Sequence, residues 1–463
     1  MVSKVSLRLF LFAFLCSAFA AQAQVVLLAN GKLTSSRAGS YTDLSGLTNT
    51  LENGVPANIL GGLGSGFTYV SGNTFLGIPD RGPNAVSYNS LVDDTVSYIA
   101  RFHTISMNLQ PNSGPGLPFT LAPKLESTTL LHALLPLAYG SGTDFGLGSG
   151  RLQQNNFFRH YFTGRSDNYD ANRSSEFPFD ARLDPESIRV SNDGLTVFVS
   201  DEYGPYVYQF LRLTGERLRV FKLPEHLFVA TPQPTTAGEI GLNASGRTPN
   251  KGMEGLAITP DGKTLVGVMQ AALIQDAAEG GPAASVLRLV TIDIASGKTK
   301  HEYAYLLTTG SGVSEITALN DHEFLVDERD GKGLGDGSKA KVKQIFKIDL
   351  ANAVDVSLMD GTQAAANAVG KTLFLDIVKV LTANGYTTDQ IPAKLEGITF
   401  GPDVNNGNTK MHTLWVANDN DFLQDYGGVA GSNPNQFFVF GFTDADLGGS
   451  QFVPQKVRSP FGW

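Results

Sequence analysis

Cysteine is almost absent from this sequence, since Cys16 is the only one among 463 residues. It falls inside an N-terminal segment that is typical of a signal peptide. The exported chain is therefore expected to hold no disulfide, no thiol nucleophile and no thiolate metal site.

Charge is also scarce. Asp, Glu, Lys and Arg make up 17% of the residues, and the formal net charge is −9. Because no basic patch stands out, nucleic acid is not expected as a partner. Catalytic signatures are missing too: the chain has no Gly-x-Ser-x-Gly nucleophile elbow and no His-Glu-x-x-His zinc motif.

The first 23 residues predict export. Lys4 and Arg8 precede an apolar run over residues 9–20, and Ala21-Gln22-Ala23 is a small-x-small cleavage site. The alternative, a transmembrane anchor, is disfavoured because the run is short for a bilayer. We expect a secreted or periplasmic mature chain, residues 24–463, that is monomeric and does not insert into a membrane.

Turn-rich β structure is what the sequence does contain, with 51 glycines and many short Val/Thr/Phe runs. Residues 184–222 predict four antiparallel strands separated by Asn-Asp-Gly and Thr-Gly turns, and one such meander is a propeller blade. Copies follow at Glu254, Glu315 and Glu396, and a related hairpin lies at residues 60–79. The predicted fold is an all-β single-domain β-propeller.

The sequence indicates the number of blades less directly than it indicates the fold. The copies recur every 60–80 residues or so, longer than ordinary repeats of about 40–50 residues, so we expect long inter-strand loops. Five blades are legible; we expect six, with seven as the alternative. The N-terminal strand is expected to complete a blade with the C-terminal strands. Residues from about 136 to 178 are Gly-, Ser- and Asn-rich and predict a loop-rich insertion.

Acidic side chains recur at equivalent places. Each copy has a carboxylate just before its first strand and polar residues at the end of its second strand, which in a propeller would face one axis. A pair of carboxylates about 5 Å apart repels by roughly 3 kcal/mol at an effective dielectric of about 20. A hard cation would offset this, Ca²⁺ first and Mg²⁺ second. The alternative is that each acid is a solvated turn residue. The candidate metal ligands are Glu186, Asp201, Glu254, Glu315, Asp327, Glu396 and Asp419.

Two arginines beside these acids, Arg81 and Arg329, are candidates to bind an anionic substrate group. They are equally interpretable as ion-pair partners of the acids. Glu186 and Glu202 are the candidate general bases. Together the four form the predicted catalytic set.

Several motifs in order resemble the bacterial phytase-like family, described by esterase-like activity. They are LGGLGSGF, PDRGPN, LDPESIRVSNDG, VFVSDEYGPYVYQF, NKGMEGLAITPDG, KLEGITFGPD and LWVANDND. The resemblance implies an exported β-propeller that hydrolyses phosphate or other esters, similar in architecture to calcium-dependent β-propeller phytases.

Two functions follow as hypotheses. The first is a metal-dependent hydrolase of phosphoesters or related esters, acting on a small anionic or ester substrate. The alternative is a non-catalytic propeller that binds a ligand or partner and uses calcium only structurally. The fold alone does not decide between them.

Overall fold

The computed structural model describes residues 25–33, 41–140, 147–308, 310–423 and 433–458. The predicted signal peptide, residues 1–23, lies outside the described residues. Among the residues that are described, no helix is long and apolar enough to cross a membrane.

Most strands belong to five four-stranded antiparallel sheets, which are the blades. Strand β1 is Val26–Leu33. Blade 1 contains β2 (Gly66–Ser71), β3 (Thr74–Ile78), β4 (Arg101–Pro111) and β5 (Phe119–Leu130). After the short strands β6 (His132–Ala133) and β7 (His160–Tyr161), blade 2 contains β8 (Pro185–Val190), β9 (Thr196–Asp201), β10 (Tyr206–Leu211) and β11 (Arg217–Lys222).

The other three blades follow in chain order. Blade 3 contains β12 (Met253–Ile258), β13 (Thr264–Met269), β14 (Val286–Asp293) and β15 (Thr299–Leu306). Blade 4 contains β16 (Gly312–Ala318), β17 (Glu323–Arg329), β18 (Lys343–Asp349) and β19 (Lys371–Asp376). Blade 5 contains β20 (Lys394–Asn406), β21 (Thr409–Asp419), β22 (Asn435–Phe442) and, at its outer edge, β1.

Helices are short and lie between or within blades. They are α1 (Thr236–Leu242), α2 (Ile274–Ala278), α3 (Gly361–Ala366) and α4 (Ile377–Ala383), with 3₁₀ turns at Ser90–Val92, Glu225–Leu227, Gly281–Ser285 and Asp444–Leu447. Residues 371–381, where the sequence allows either an outer strand or a short helix, form both: the end strand of blade 4 and then α4.

The ring closes with five blades. The innermost strands β2, β8, β12, β16 and β20 contact one another in that cyclic order, and β20 returns to β2. The expectation of six blades was therefore wrong for the described residues. The long spacing between copies reflects loops and helices rather than a missing sheet.

Strand β1 closes the ring as expected from the sequence. It pairs antiparallel with β22, from Val26 opposite Gly441 to Leu33 opposite Asn435. This pairing joins the two ends of the chain in one sheet and covers the edge of β22 that would otherwise be open.

The blades pack face to face, so their central strands are buried on both sides. The sequence of such a strand is therefore a continuous hydrophobic run. Every residue of β9 and of β22 is buried, which explains runs such as TVFVS and FFVFGF. A short hydrophobic run bounded by Asx-Gly turns favours a buried β-strand over a helix.

A buried ion pair occupies the propeller axis. Arg189 and Glu315 lie 3.0 Å apart and are 3% and 0% exposed. The Arg189 guanidinium also donates to the carbonyls of Phe67, Ile188, Ile316 and Ile398, while Glu315 accepts from the Leu256 amide. Backbone groups from the innermost strands of all five blades are thus tied to one pair.

Register explains why only one acid fits there. The strand pairing within each blade shows which residues occupy the position equivalent to Glu315 on the other four blades. They are Gly66, Ser187, Gly255 and Gly397. A Cβ on Gly66 would lie 2.6 Å from Ser187 Cα, and one on Gly255 would lie 2.9 Å from the Ile316 amide nitrogen. Because the other four positions hold small residues, only Glu315 among these five places a large side chain at the axis.

We expect Arg189→Met to lower the free energy of unfolding by about 3–5 kcal/mol, because it leaves Glu315 buried without its counter-charge. Urea denaturation measures this loss. The double variant R189M/E315M should be more stable than R189M alone, since no unpaired charge remains.

Lys124→Met is the matched control. It breaks the exposed pair of Lys124 and Glu126, whose side chains are 69% and 41% exposed, and should change stability by less than about 1 kcal/mol. If R189M cost no more than K124M, the axial pair would not hold the ring together.

Candidate functional site

One mouth of the ring contains a cavity of about 210 Å³ in which every lining side chain is polar or charged. It lies on the side of the ring where the inner strands begin and the second strands end. All five blades or their loops contribute. The lining residues are Asp80, Arg81, Asn84, Glu186, Glu202, Asn250, Glu254, Gln270, Arg329, Lys394, Glu396, Asp419 and Asp421.

Two rows of equivalent positions build this cavity. The first row is the inner-strand glutamates, Glu186, Glu254 and Glu396, each at a β-bulge. A bulge re-aims the side chain of its extra residue. The second row lies at or just after the end of the second strand of each blade, three residues beyond the partner of the inner-strand Phe, Ile or Leu. Its members are Asp80, Glu202, Gln270, Arg329 and Asp419.

Of the residues predicted from sequence, seven lie at this cavity: Arg81, Glu186, Glu202, Glu254, Arg329, Glu396 and Asp419. The structure does not bring the other three, Asp201, Glu315 and Asp327, to its lining.

Asp201 precedes the second row by one residue, so its side chain points away. Its carboxylate accepts from the amides of Asp184, Tyr203 and Gly204 at 3.0–3.1 Å. These bonds shape the turn that carries Glu202. Asp201 therefore positions Glu202 without lining the cavity itself.

Glu315 lies one position beyond the row of inner-strand glutamates, because the bulge of β16 falls at Ser314. It reaches the axis, as described above, where Arg189 and three further donors surround it. Asp327, opposite Glu315 in the strand pairing, is fully buried, and neither of its oxygens has a hydrogen-bond partner. Burial raises its pKa well above the ordinary value despite the nearby Arg329.

A first carboxylate group lies on the blade 2 side. Asp184, Glu186 and Glu202 each place an oxygen within 4.8 Å of the others. Arg81 contacts Asp184 at 3.2 Å and also donates to Asn250. Glu202 Oε1 is buried with no hydrogen-bond partner, as is Glu254 Oε2 in the next blade. Oxygens in this state are free to ligate a cation.

A second carboxylate group, Asp80, Asp419 and Asp421, lies where blades 1 and 5 meet. Here Lys394 donates to Asp419 at 2.9 Å and to Asp421 at 2.5 Å. Arg329 pairs with Glu396 on the same side. These bases compensate the second group more fully than Arg81 compensates the first.

Crowding of buried acids raises their pKa values. Burial, and then the Asp184 charge, raises the pKa of Glu202 to about 8. Burial and the Glu254 charge raise the pKa of Glu186 well above normal, and burial and the Glu202 charge do the same for Glu254. Burial raises the pKa of Glu396 to about 7 against the opposing effect of Arg329. Perturbation of this kind is typical of functional sites.

Seven contributors to the site were not among the candidate residues: Asp80, Asn84, Asp184, Asn250, Gln270, Lys394 and Asp421. Asp184 lies two residues before Glu186, and Lys394 two residues before Glu396, so each shares the face of a predicted glutamate. That spacing was the available signal. Asn250 lies on an inter-blade loop with positive φ and had none.

The segment within residues 136–178 walls this mouth. Gly164 packs so closely on Arg81 that a Cβ would lie 1.6 Å from the Arg81 carbonyl oxygen. Tyr203, next to Glu202, donates through its hydroxyl to the Gly164 carbonyl at 2.7 Å. A glycine is required here because two chain segments touch.

Comparison with known proteins gives a family match over most of the chain. Residues 58–422 match the model of the phytase-like family, described as esterase-like activity of phytase. A protein of Arthroderma benhamiae named as an uncharacterized secreted protein is 32% identical over 185 residues. The match covers 32% of this chain and 34% of that protein, so the chain spans about a third of this relative's length.

Solved structures with similarity include two gluconolactonases. The periplasmic enzyme of Pseudomonas aeruginosa is 12% identical, with 89% of this chain and 99% of that chain covered and a TM-score of 0.34. The enzyme of Xanthomonas campestris is 11% identical, with 91% and 98% covered and a TM-score of 0.28. The propeller assignment rests on the strand order and ring closure given above.

With a chelator present to keep the site free of metal, we expect the melting temperature to fall by several degrees as the pH rises from 6.5 to 8.5. Glu202 has a folded pKa of about 8 against an ordinary value of 4.5. A raised acid pKa stabilises the fold at low pH, and that contribution is lost as pH rises through the folded value. The buried His103, with a pKa of about 4, is neutral throughout this window.

Differential scanning calorimetry at fixed ionic strength measures this fall, and Glu202→Gln should make it shallower. Glu126→Gln, at an exposed position, is the control and should keep the full slope. A melting temperature that stays constant or rises over this window would contradict the electrostatic description.

Proposed function

This chain belongs to the phytase-like family, and on that basis we propose that it is an exported, metal-dependent hydrolase of phosphoesters or related esters. The observation that carries the proposal is the cavity shared by all five blades, where clustered buried acids include two oxygens without a hydrogen-bond partner. Export is supported by the N-terminal segment and by the secreted relative.

A divalent cation fits the first carboxylate group. Asp184, Glu186 and Glu202 offer only oxygens, the ligand type that Ca²⁺ and Mg²⁺ prefer. Glu254, whose carboxyl contacts that of Glu202, would complete the set. Three carboxylates with oxygens within 4.8 Å of one another favour Ca²⁺, which accepts more oxygen ligands and a looser geometry than the octahedron of Mg²⁺.

When bound, such a cation would polarise an ester oxygen and lower the pKa of a water molecule. The chain's own groups would do the rest. Glu202, which lines the cavity beside the proposed cation site, would accept a proton from the attacking water. Glu186, on the same side, is the second candidate base.

Arg81 and Arg329 face the same cavity from blades 1 and 4. Their side chains remain 12% and 14% exposed although each is ion-paired. We propose that they bind the anionic part of the substrate by exchanging a carboxylate partner for a phosphate oxygen. The absence of apolar side chains from the described lining favours a small polar substrate over an acyl chain.

The effect of Ca²⁺ on thermal stability is the first test. With saturating Ca²⁺ the melting temperature should rise, since a ligand at 100 times its Kd stabilises by about 2.7 kcal/mol. E186Q/E254Q should lose most of this rise, and E126Q should keep it. Metal analysis of the purified protein checks occupancy directly. Equal Ca²⁺ responses in E186Q/E254Q and E126Q would eliminate the proposed site.

Activity is the second test. Phosphatase, phosphodiesterase and esterase assays, with Ca²⁺ and with chelator, should detect Ca²⁺-dependent turnover. Glu202→Gln should lower kcat by about 10²–10⁴-fold, the usual effect of losing a general base. Normal Ca²⁺ binding without turnover on any substrate class would instead support the alternative, a binding propeller with structural calcium.

A further inference from the structure

Two phenylalanines protrude from the face of the insertion. Phe157 and Phe158 are 84% and 68% exposed, and their rings contact edge to face at 5.0 Å. They occupy the centre of a tight turn closed by the Asn156 amide, which donates to the Arg159 carbonyl at 3.0 Å. The Asn156 side chain accepts from the Phe158 amide at 2.9 Å. These two hydrogen bonds define the turn, which holds both rings outward.

Two leucines extend this apolar surface. Strands β6 and β7 pair with Ala133 opposite His160, so residues 134–135 and 157–159 continue from the same end of the strand pair. Leu134 and Leu135 are 48% and 61% exposed. We call Leu134, Leu135, Phe157 and Phe158 the apolar tip. Exposed groups of large apolar side chains are typical of interaction sites.

Cations flank this tip although the whole chain is acidic. Arg159 is exposed directly beside Phe158, and Arg151 is exposed on the approach to the turn. Both lie close to the strand pair: burial and then the Arg151 charge lower the pKa of His160, and the Arg159 charge acts on His132 in the same sense. Glu216 is the acid that faces this pair, next to His132.

We propose that the apolar tip docks the protein on an anionic lipid surface. Aromatic rings on a convex turn insert at the boundary between headgroups and acyl chains, and flanking arginines contact lipid phosphates. The tip is a projection rather than a groove, so it does not present the concave site that would bind a peptide or helix. The contact would be peripheral, and it is independent of the proposed hydrolase activity.

Vesicle flotation tests this proposal with the purified protein. Vesicles of equal parts phosphatidylglycerol and phosphatidylcholine should bind the protein, whereas pure phosphatidylcholine vesicles should bind it less. F157S/F158S should weaken binding by at least about tenfold, because the interfacial burial of two rings is lost. R151Q/R159Q should weaken binding only to the anionic vesicles, and added salt should have the same effect.

Leu358→Ser is the matched control, since it removes a 98% exposed leucine on the loop between β18 and α3. It should bind vesicles as the wild type does. In Phe158→Trp, the new indole should shift its emission to the blue on addition of anionic vesicles. All these positions are exposed, so the melting temperatures should be unchanged.

Three results would overturn the proposal. One is a wild-type protein that floats with neither vesicle type. Another is an F157S/F158S variant that binds as well as the wild type. The third is a concentration-dependent dimer in sedimentation equilibrium that F157S/F158S abolishes, which would assign the tip to self-association.

Discussion

The Arg189–Glu315 pair at the axis is the contact on which the rest of this propeller depends. Its charges and hydrogen bonds link inner-strand backbone groups of all five blades at the centre of the ring. It also blocks the channel. A cavity of about 60 Å³ lies on the opposite side, bounded by Arg189 and by the C-terminal residues Pro454, Gln455 and Val457. The acidic cavity therefore opens on one face only.

That axial pair also separates two kinds of acid that are nearly identical in sequence context. Glu315 is surrounded by donors, from Arg189, the Ser187 hydroxyl and two backbone amides. One bulge position away, Glu186 and Glu254 face each other's charge and that of Glu202. The fold thus completes the hydrogen bonding of its structural acid and leaves the cavity acids deficient. Local deficits of this kind are expected where a protein binds something.

Sequence was sufficient for the fold class, the five copies and the closing role of the first strand, because turn chemistry and hydrophobic runs are local signals. It failed on blade number, since loops and short helices such as α1 and α3 lengthen the spacing without adding a sheet. It also placed Glu315 with the other glutamates. A one-residue change in strand register moves a side chain to a different site, and the bulge at Ser314 has no signature in the letters SEIT. Residues two apart on a strand lie on the same face. A search for polar residues at that spacing from the predicted glutamates would have identified Lys394, two residues before Glu396.

The two sides of the cavity differ in how far basic side chains compensate the charge of the acids, and this difference agrees with the proposed roles of the two sides. Where blades 1 and 5 meet, Lys394 donates to two carboxylates and Arg329 pairs with a third. On the blade 2 and 3 side, Arg81 pairs with Asp184, and the two buried oxygens without a hydrogen-bond partner belong to Glu202 and Glu254. Excess negative charge is thus concentrated beside those oxygens. A cation would gain most there, whereas an anion would gain most beside Arg329 and Lys394. The two would then lie on opposite sides of one cavity, as the proposed ester hydrolysis requires.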